Sequence, residues 1–407
     1  MSSEKQVREQ NIEELLTRGV AEVIDREHLK KRLLSGEKLR IKLGIDPTSP
    51  HIHLGRAVVL RKLRDFQDLG HQIVFIVGDF TGVIGDTSDK ESERPMLSLQ
   101  MIEENMRTYT QQAGKIIDLD LAEVHYNSTW LDKLGYEDIG MQADAFSLAE
   151  FISRENIRKR LDEGKRISLR EVLYPLMQGF DSVATNASVE LGGTDQRFNL
   201  LAGRRLQGAH GQQPQDILMT NLILGTDGRK MSSSWGNTIN VLDAPNEMFG
   251  KVMSIPDESI MEYFVHCTRV PMVEVAKIAE EIVTGANPRD AKARLAREIV
   301  ILYHGVEEAT KAENYFIETF SKGHIPQDVH EYSPVYEPAI EGYENVESFI
   351  ARIGLAKSKS DARRKIEQGG VSIGDEKIVV GSRMLSKDSD NEKVMRVGKK
   401  DFVRIVF

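Results

Sequence analysis

The 407-residue chain has little cysteine, little tryptophan and no long apolar run: Cys267 is its only cysteine, and there are two tryptophans and twelve prolines. A lone cysteine excludes an internal disulfide, and without paired cysteines a thiolate zinc site has no ligands. No stretch approaches the roughly 18 uninterrupted apolar residues of a membrane span. The start, MSSEKQVREQ, lacks the apolar core of a secretory signal. Export and membrane insertion are therefore not expected, and the cytoplasm is the expected compartment. Scarce proline and the absence of repeats exclude collagen-like and low-complexity scaffolds. What is present, 40% hydrophobic and 29% charged residues, is the mixture of an ordinary globular protein. At about 150 residues per domain the length predicts two to three domains.

The net charge of −9 divides unevenly. Residues 351–407 hold 14 Lys and Arg against 8 Asp and Glu, a balance of +6 that leaves −15 on the rest. A compact basic segment on an acidic body suits a module that binds a polyanion while the body does something else. A solvated basic surface with no partner is the competing reading.

The first forty residues read as helix, with Ile12, Leu15, Leu16, Val20, Val23 and Ile24 recurring every three to four positions. Leu39, Ile41, Leu43 and Ile45 then alternate with other residues, which predicts a strand ended by the prolines of Asp46 to Pro50. Leu54 to Leu69 is helical in period, with Gly70 as a stop, and Ile73 to Gly82 opens on an apolar run suited to a strand buried on both faces. Strand, loop, helix and buried strand form a βαβ unit, hence a parallel sheet with ligands at the carboxyl ends of its strands. Residues 98–180 are largely helical in pattern. A loop and helix follow at Leu191 to Leu206, and the polar segment from Leu224 to Ser234 reads as a mobile loop. Helical periodicity returns over 245–322, and Pro326, Pro334 and Pro338 mark a linker.

Two loops carry candidate chemistry. GIDPTSPHIHLGR, Gly44 to Arg56, places His53 and Gly55 where a helix begins, and a helix N-terminus offers backbone N–H groups and partial positive charge to phosphate. His51 and His53 are equally readable as a surface pair and, less readily, as two metal ligands. KMSSS, Lys230 to Ser234, sets a lysine beside small hydroxyl residues able to fold over an anion. Tyr174, Gln178 and Asp181 are spaced four and three residues apart, so on one helix they share a face and can line a pocket.

Together and in this order, the two loops resemble the HIGH and KMSKS signatures of class I aminoacyl-tRNA synthetases. DPTSPHIHLG, GVIGDTSDKESERP, LYPLMQGFDS and LGGTDQRFN narrow the resemblance to the tyrosyl-tRNA synthetase family, in its bacterial form with an S-four-like C-terminal RNA-binding domain. The resemblance spans essentially the whole chain. It implies a Rossmann-like α/β catalytic domain with a helical insertion over 1–240, an α-helical anticodon-side domain over 241–322, a linker over 323–345 and a small α+β RNA-binding domain over 346–407.

It also implies activation of L-tyrosine by ATP and transfer of the tyrosyl group to the 3′ end of tRNA(Tyr). Mg²⁺ would arrive with ATP, no protein-bound metal or organic cofactor is implied, and the chain would be a homodimer. By the same resemblance His53, Lys230, Arg56 and Thr48 serve catalysis. Gly44, Asp46, Gly55, Gly193, Asp195, Met231, Ser232, Ser233 and Ser234 hold ATP, with Gly193 and Asp195 on its ribose. Asp86, Tyr174, Gln178, Asp181 and Gln196 hold tyrosine, Asp181 at its phenol hydroxyl. Lys90 and Arg94 reach the nucleotide or the tRNA end. Lys357, Lys359, Arg363, Arg364 and Lys365 grip tRNA. Three residues depart from the family pattern: Arg56 replaces the second histidine of HIGH, Ser233 replaces a lysine of KMSKS, and Lys42 stands where many members have a second tyrosine facing the substrate hydroxyl. Tryptophanyl-tRNA synthetase is the nearest alternative, and Asp181 and GGTDQ argue against it. A nucleotidylyltransferase shares the HxGH logic but lacks the KMSxS loop and the RNA module. An RNA-binding protein that retains the synthetase fold without charging tRNA is a third reading, kept open by Arg56 and Ser233.

Overall fold

A computed structural model describes residues 3–88, 96–321, 329–338, 341–398 and 401–407. The chain divides into two compact units, Met1–Ala309 and Thr310–Phe407.

The first unit is built on a six-stranded sheet of β1 (Val20–Ile24), β2 (Arg40–Ile45), β3 (Gln72–Val77), β4 (Ala122–Tyr126), β5 (Val189–Gly193) and β6 (Asp216–Thr220), in the order β1-β6-β5-β2-β3-β4. The pairings β2–β3, β2–β5, β3–β4 and β5–β6 are parallel. β3 is wholly buried from Ile73 to Val77, as a strand covered by helices on both faces must be. One expectation needs correction. Val20–Ile24, read as part of a long N-terminal helix, is a strand, because β-branched Val20, Val23 and Ile24 cover the edge of β6 after the helix Ser3–Thr17 ends. It runs antiparallel to β6, so the sheet is mixed rather than purely parallel.

Strand order reverses between β2 and β5. From β2 the chain winds outward through β3 to β4, and on the other side from β5 to β6, beyond which the earlier strand β1 forms the edge. A crevice opens at such a reversal, beyond the carboxyl ends of the strands. Those ends deliver Asp46 after β2, Gly78 after β3, Asn127 after β4, Asp195 after β5 and Leu222 after β6, all of which line one cleft. Helices Pro245–Met253, Ile260–Cys267, Met272–Val283 and Pro288–His304 follow in the same unit. No helix among the described residues is long and apolar enough to cross a membrane.

The second unit has a sheet of strands Glu376–Lys377, Val371–Ile373, Val394–Val397, Asp401–Ile405 and His330–Tyr332, in that order, antiparallel except for the last pairing. The described part of 323–345 thus supplies a strand to this sheet, and Tyr336–Glu337 pairs with Gly342–Tyr343. Val346, Phe349, Ala362, Ile366, Met395 and Ile405 form its core, drawing helices Val346–Arg352 and Lys359–Glu367 onto the strands.

Candidate active site

The cleft encloses about 250 Å³. Its first wall is the turn from β2 into helix Leu54–Asp68. Buried His53 occupies the N-cap in extended conformation, paired in a β-bridge with Asn240. Gln112 fixes this loop from behind: its Oε1 accepts from the Ile52 amide at 2.7 Å and its Nε2 donates to the Pro50 carbonyl at 2.8 Å. Gly55 has no side chain for a steric reason, since a Cβ there would lie 3.0 Å from the Nδ1 of His53. His51 is exposed whereas His53 is buried.

The helix N-terminus is less open to an anion than its sequence suggests. The Leu54 amide donates to Ile239 at 2.8 Å, and the Gly55 amide contacts the sulfur of Met231 at 3.3 Å. A thioether is a weak acceptor, so the Gly55 amide is held by the more replaceable of the two partners.

Arg56 faces inward to the same turn. Its guanidinium donates to the Asp46 carbonyl at 3.2 Å, to Thr48 Oγ1 at 2.9 Å and to the hydroxyl of buried Tyr109. A histidine carries two ring nitrogens and could not make these three bonds. Arg56 therefore closes the Asp46–Thr48 turn from inside while lining the cleft.

The second wall is the KMSSS segment. Leu224 and Lys230 form an antiparallel bridge, and buried Asn237 pins the bend by donating to the Lys230 carbonyl at 3.1 Å and accepting from the Ser232 amide at 2.9 Å. The segment read as a mobile loop is thus held at its bend by a residue outside the motif. Lys230 Nζ lies 3.1 Å from Asp195 Oδ2, and the hydroxyls of Ser49 and Ser233 are 3.3 Å apart. The two signature loops, some 175 positions apart in the sequence, meet across the cleft.

The floor comes from helix Leu169–Thr185, which lays Tyr174, Gln178 and Asp181 along the cavity. The Tyr174 hydroxyl donates to Asp46 Oδ2 at 2.8 Å, and Thr81 donates to Oδ1 at 2.7 Å. Burial pushes the Asp46 carboxyl up to about 6 against those two donors. Burial and the neighbouring carboxylates of Asp46, Asp86 and Asp181 raise the Tyr174 phenol well above its ordinary value, so it stays a donor. Asp181 is buried and accepts from Trp130 Nε1 at 2.8 Å and Asn127 Nδ2 at 3.3 Å. Burial pushes it up to about 7; the Lys42 ammonium and those two donors oppose the shift, while Glu190 adds to it. Asp86 accepts from Ser88 and, at 2.7 Å, from Gln196 Nε2.

Gly44, Asp46, Thr48, His53, Gly55, Arg56, Asp86, Tyr174, Gln178, Asp181, Gly193, Asp195, Gln196 and Lys230 to Ser234 all line this one cleft. Lys90 and Arg94 lie outside the described residues. Lys357, Lys359, Arg363, Arg364 and Lys365 belong to the second unit. There Lys357 and Lys359 are exposed, Arg363 is paired with Glu347 at 2.9 Å, Arg364 is paired with Asp361, and Lys365 donates to the Leu355 carbonyl at 2.6 Å. Three of these five thus carry internal partners that a count of basic residues does not reveal. Sequence reasoning also missed Tyr109, Thr81, Asn127 and Trp130, which orient the named residues. Each acts across more than thirty positions on a partner in another element, so no short motif contains both members of a pair.

Residues 34–321 match the family described as tRNA synthetases class I (W and Y). The chain is 45% identical to the tyrosine–tRNA ligase of Thermotoga maritima, across 100% of this chain and 98% of that protein. It is 48% identical to the tyrosine–tRNA ligase of Dehalococcoides mccartyi, across 91% of this chain and 93% of that protein. Among solved structures it is similar in fold to a C-terminally truncated mitochondrial tyrosyl-tRNA synthetase of Aspergillus nidulans, with a TM-score of 0.64 at 21% identity over 79% of this chain and 100% of that one. It is similar too to the tyrosyl-tRNA synthetase of Archaeoglobus fulgidus complexed with L-tyrosine, with a TM-score of 0.59 at 24% identity over 75% and 99%.

Proposed function

This chain belongs to the class I aminoacyl-tRNA synthetases, among the tyrosine–tRNA ligases, and on that premise we propose how its cleft works. The enzyme activates L-tyrosine with ATP and transfers the tyrosyl group to tRNA. In the first step the tyrosine carboxylate attacks the α-phosphate, forming a P–O bond as the bond to pyrophosphate breaks. In the second, a ribose hydroxyl at the 3′ end of tRNA(Tyr) attacks the adenylate carbonyl and AMP leaves. Neither step needs a covalent enzyme intermediate, so positioning and charge stabilisation carry the catalysis.

The observation that carries this reading is the meeting of the two signature loops over a floor containing a buried carboxylate. Lys230 and His53 approach the triphosphate from opposite sides, and Asp195 turns from Lys230 to the ribose when the nucleotide enters. Mg²⁺ comes with ATP, bound mainly through phosphate oxygens. Asp86, Gln178 and Tyr174 surround the tyrosine ammonium, with Gln196 beside the carboxylate. Asp181 accepts from the phenol hydroxyl, and phenylalanine would leave that buried acceptor without its partner. Arg56 acts here chiefly by holding the Asp46–Thr48 turn. The basic face of the second unit grips tRNA by its backbone and shape, and the protein works in the cytoplasm.

A homodimer accounts for the large apolar side chains left exposed from the residue before β4 to the start of the floor helix: Leu121, Tyr136 (97% exposed), Met141, Leu148 and Leu169 (78% exposed). A mass of two chains by light scattering is expected, and a mass of one contradicts it. The activity itself is tested by amino-acid-dependent exchange of pyrophosphate into ATP. Exchange with tyrosine is expected. Exchange with tryptophan alone would make the chain its tryptophan-specific relative, and exchange with no amino acid would make it an RNA-binding protein that keeps the fold.

A further inference from the structure

Beneath the amino-acid pocket lies a buried ion pair that the reaction does not use. Lys42 on β2 and Glu190 on β5 are direct neighbours in the parallel register, so their side chains stand side by side on one face of the sheet. Both are almost completely buried, and Lys42 Nζ lies 2.8 Å from Glu190 Oε1. The ammonium also donates to the Gln178 carbonyl at 2.9 Å and to the Ser182 hydroxyl at 2.8 Å, which uses all three of its N–H groups. Glu190 is equally occupied: Oε2 accepts from Ser182 at 3.0 Å and from Gln215, and Oε1 accepts from the Gln178 side-chain amide at 3.4 Å. Helix Arg197–Ala209 closes over the group at Gly203, where a methyl would lie 2.9 Å from the Ser182 hydroxyl and 3.1 Å from Glu190 Oε2.

With all three Lys42 N–H groups and both Glu190 oxygens engaged, the pair has little freedom to rearrange. A buried ion pair is weak evidence for stability and better suited to fixing geometry. Here the geometry fixed belongs to the pocket. The Gln178 carbonyl is tied to Lys42, and its side-chain Nε2 is committed to Glu190. Oε1 is then the amide acceptor that remains for a ligand in the cleft that Gln178 lines, and an oxygen is what a substrate ammonium requires. Three residues along the same helix, Asp181 is set by the same anchorage.

Resting on the functional reading above, we propose that Lys42 and Glu190 are positioning residues for amino-acid recognition. They lock the Gln178–Ser182 turn to β2 and β5, so that Gln178 presents its oxygen and Asp181 its carboxylate at a fixed separation. The direct hydroxyl contact of a second tyrosine is replaced by a rigid floor.

The test uses the full-length chain. Replacing Lys42 alone would strand a buried carboxylate, so the paired variant Lys42→Met with Glu190→Gln removes both charges at similar volume. In pyrophosphate exchange, its KM for tyrosine is expected to rise about tenfold or more, with kcat within about threefold of wild type and KM for ATP unchanged. Calorimetric tyrosine affinity is expected to fall in parallel. A merely structural pair would move thermal stability and leave the tyrosine KM alone, so a folded paired variant with wild-type tyrosine affinity overturns the proposal. Should the pair variant not fold, Ser182→Ala, which deletes one hydroxyl of the cluster, decides in its place: a rise of about threefold or more in tyrosine KM supports the role and an unchanged KM refutes it. Absence of tyrosine-dependent exchange in the wild type would count instead against the functional reading, which separates the two failures.

Discussion

Asp181 sits where a charge is costly and where the proposed function sets the phenol of the substrate. Burial raises its carboxyl to about 7, while Trp130, Asn127 and the Lys42 ammonium hold it from rising further. Only the ionised carboxylate is a pure acceptor for a phenol hydroxyl. We therefore expect kcat/KM for tyrosine to climb as pH rises through about 7. Asp46, raised to about 6, adds a lower limb. In Asp181→Asn the upper limb disappears, and preference for tyrosine over phenylalanine falls at least about tenfold, since the lost charge-assisted bond is worth roughly 1.5–3 kcal/mol. An unaltered pH profile in Asp181→Asn would show that another group sets the limb. The linkage has a definite sign. A carboxyl raised by folding binds more protons in the native state, so it destabilises the fold progressively as pH climbs from the ordinary Asp value near 4 toward 7.

At the scale of elements, the turn from β2 into helix Leu54–Asp68 shows how a departure from a motif is absorbed. Arg56 is long enough to reach three oxygens around the turn, and Tyr109 is placed to receive it. Arg56→His would leave the buried Tyr109 hydroxyl without this partner. It is expected to cost about 1–3 kcal/mol in thermal unfolding and to lower tyrosine activation. A gain of orders of magnitude in exchange would contradict this account of the turn.

Much of this turn was legible in the sequence, because the alternation of Leu39 to Ile45 and the period of Leu54 to Leu69 are local signals. The shared face of Tyr174, Gln178 and Asp181 was legible for the same reason. Val20–Ile24 was not, since its apolar spacing fits a helix as well as a strand and only pairing with β6 decides between them. Nor was the support of Asp181 by Trp130, or of Gln178 by Glu190, because those partners are brought together by the sheet rather than by neighbouring sequence.

For the whole molecule, the proposed function has charge separate two tasks. The cleft lies in the first unit, and the basic helix Lys359–Glu367 lies in the second. Arg363, Arg364 and Lys365 have protein partners, so exposed Lys357 and Lys359 are the cations most available to phosphate. Lys357→Ala with Lys359→Ala is expected to reduce the slope of log affinity for tRNA against log salt by about 1.5. Tyrosine-dependent exchange should stay at the wild-type level. A loss of exchange, or an unchanged salt slope, would show that the two units do not divide the work in this way.

The central claim is that His53 and Lys230 converge on one nucleotide beside a pocket closed by Asp181. A crystal structure with a non-hydrolysable tyrosyl-adenylate analogue tests it most directly. The account predicts the phenol oxygen within hydrogen-bond distance of Asp181 and the phosphate between His53 and Lys230. An analogue bound with its phenol away from Asp181, or with either basic side chain turned from the phosphate, would contradict it.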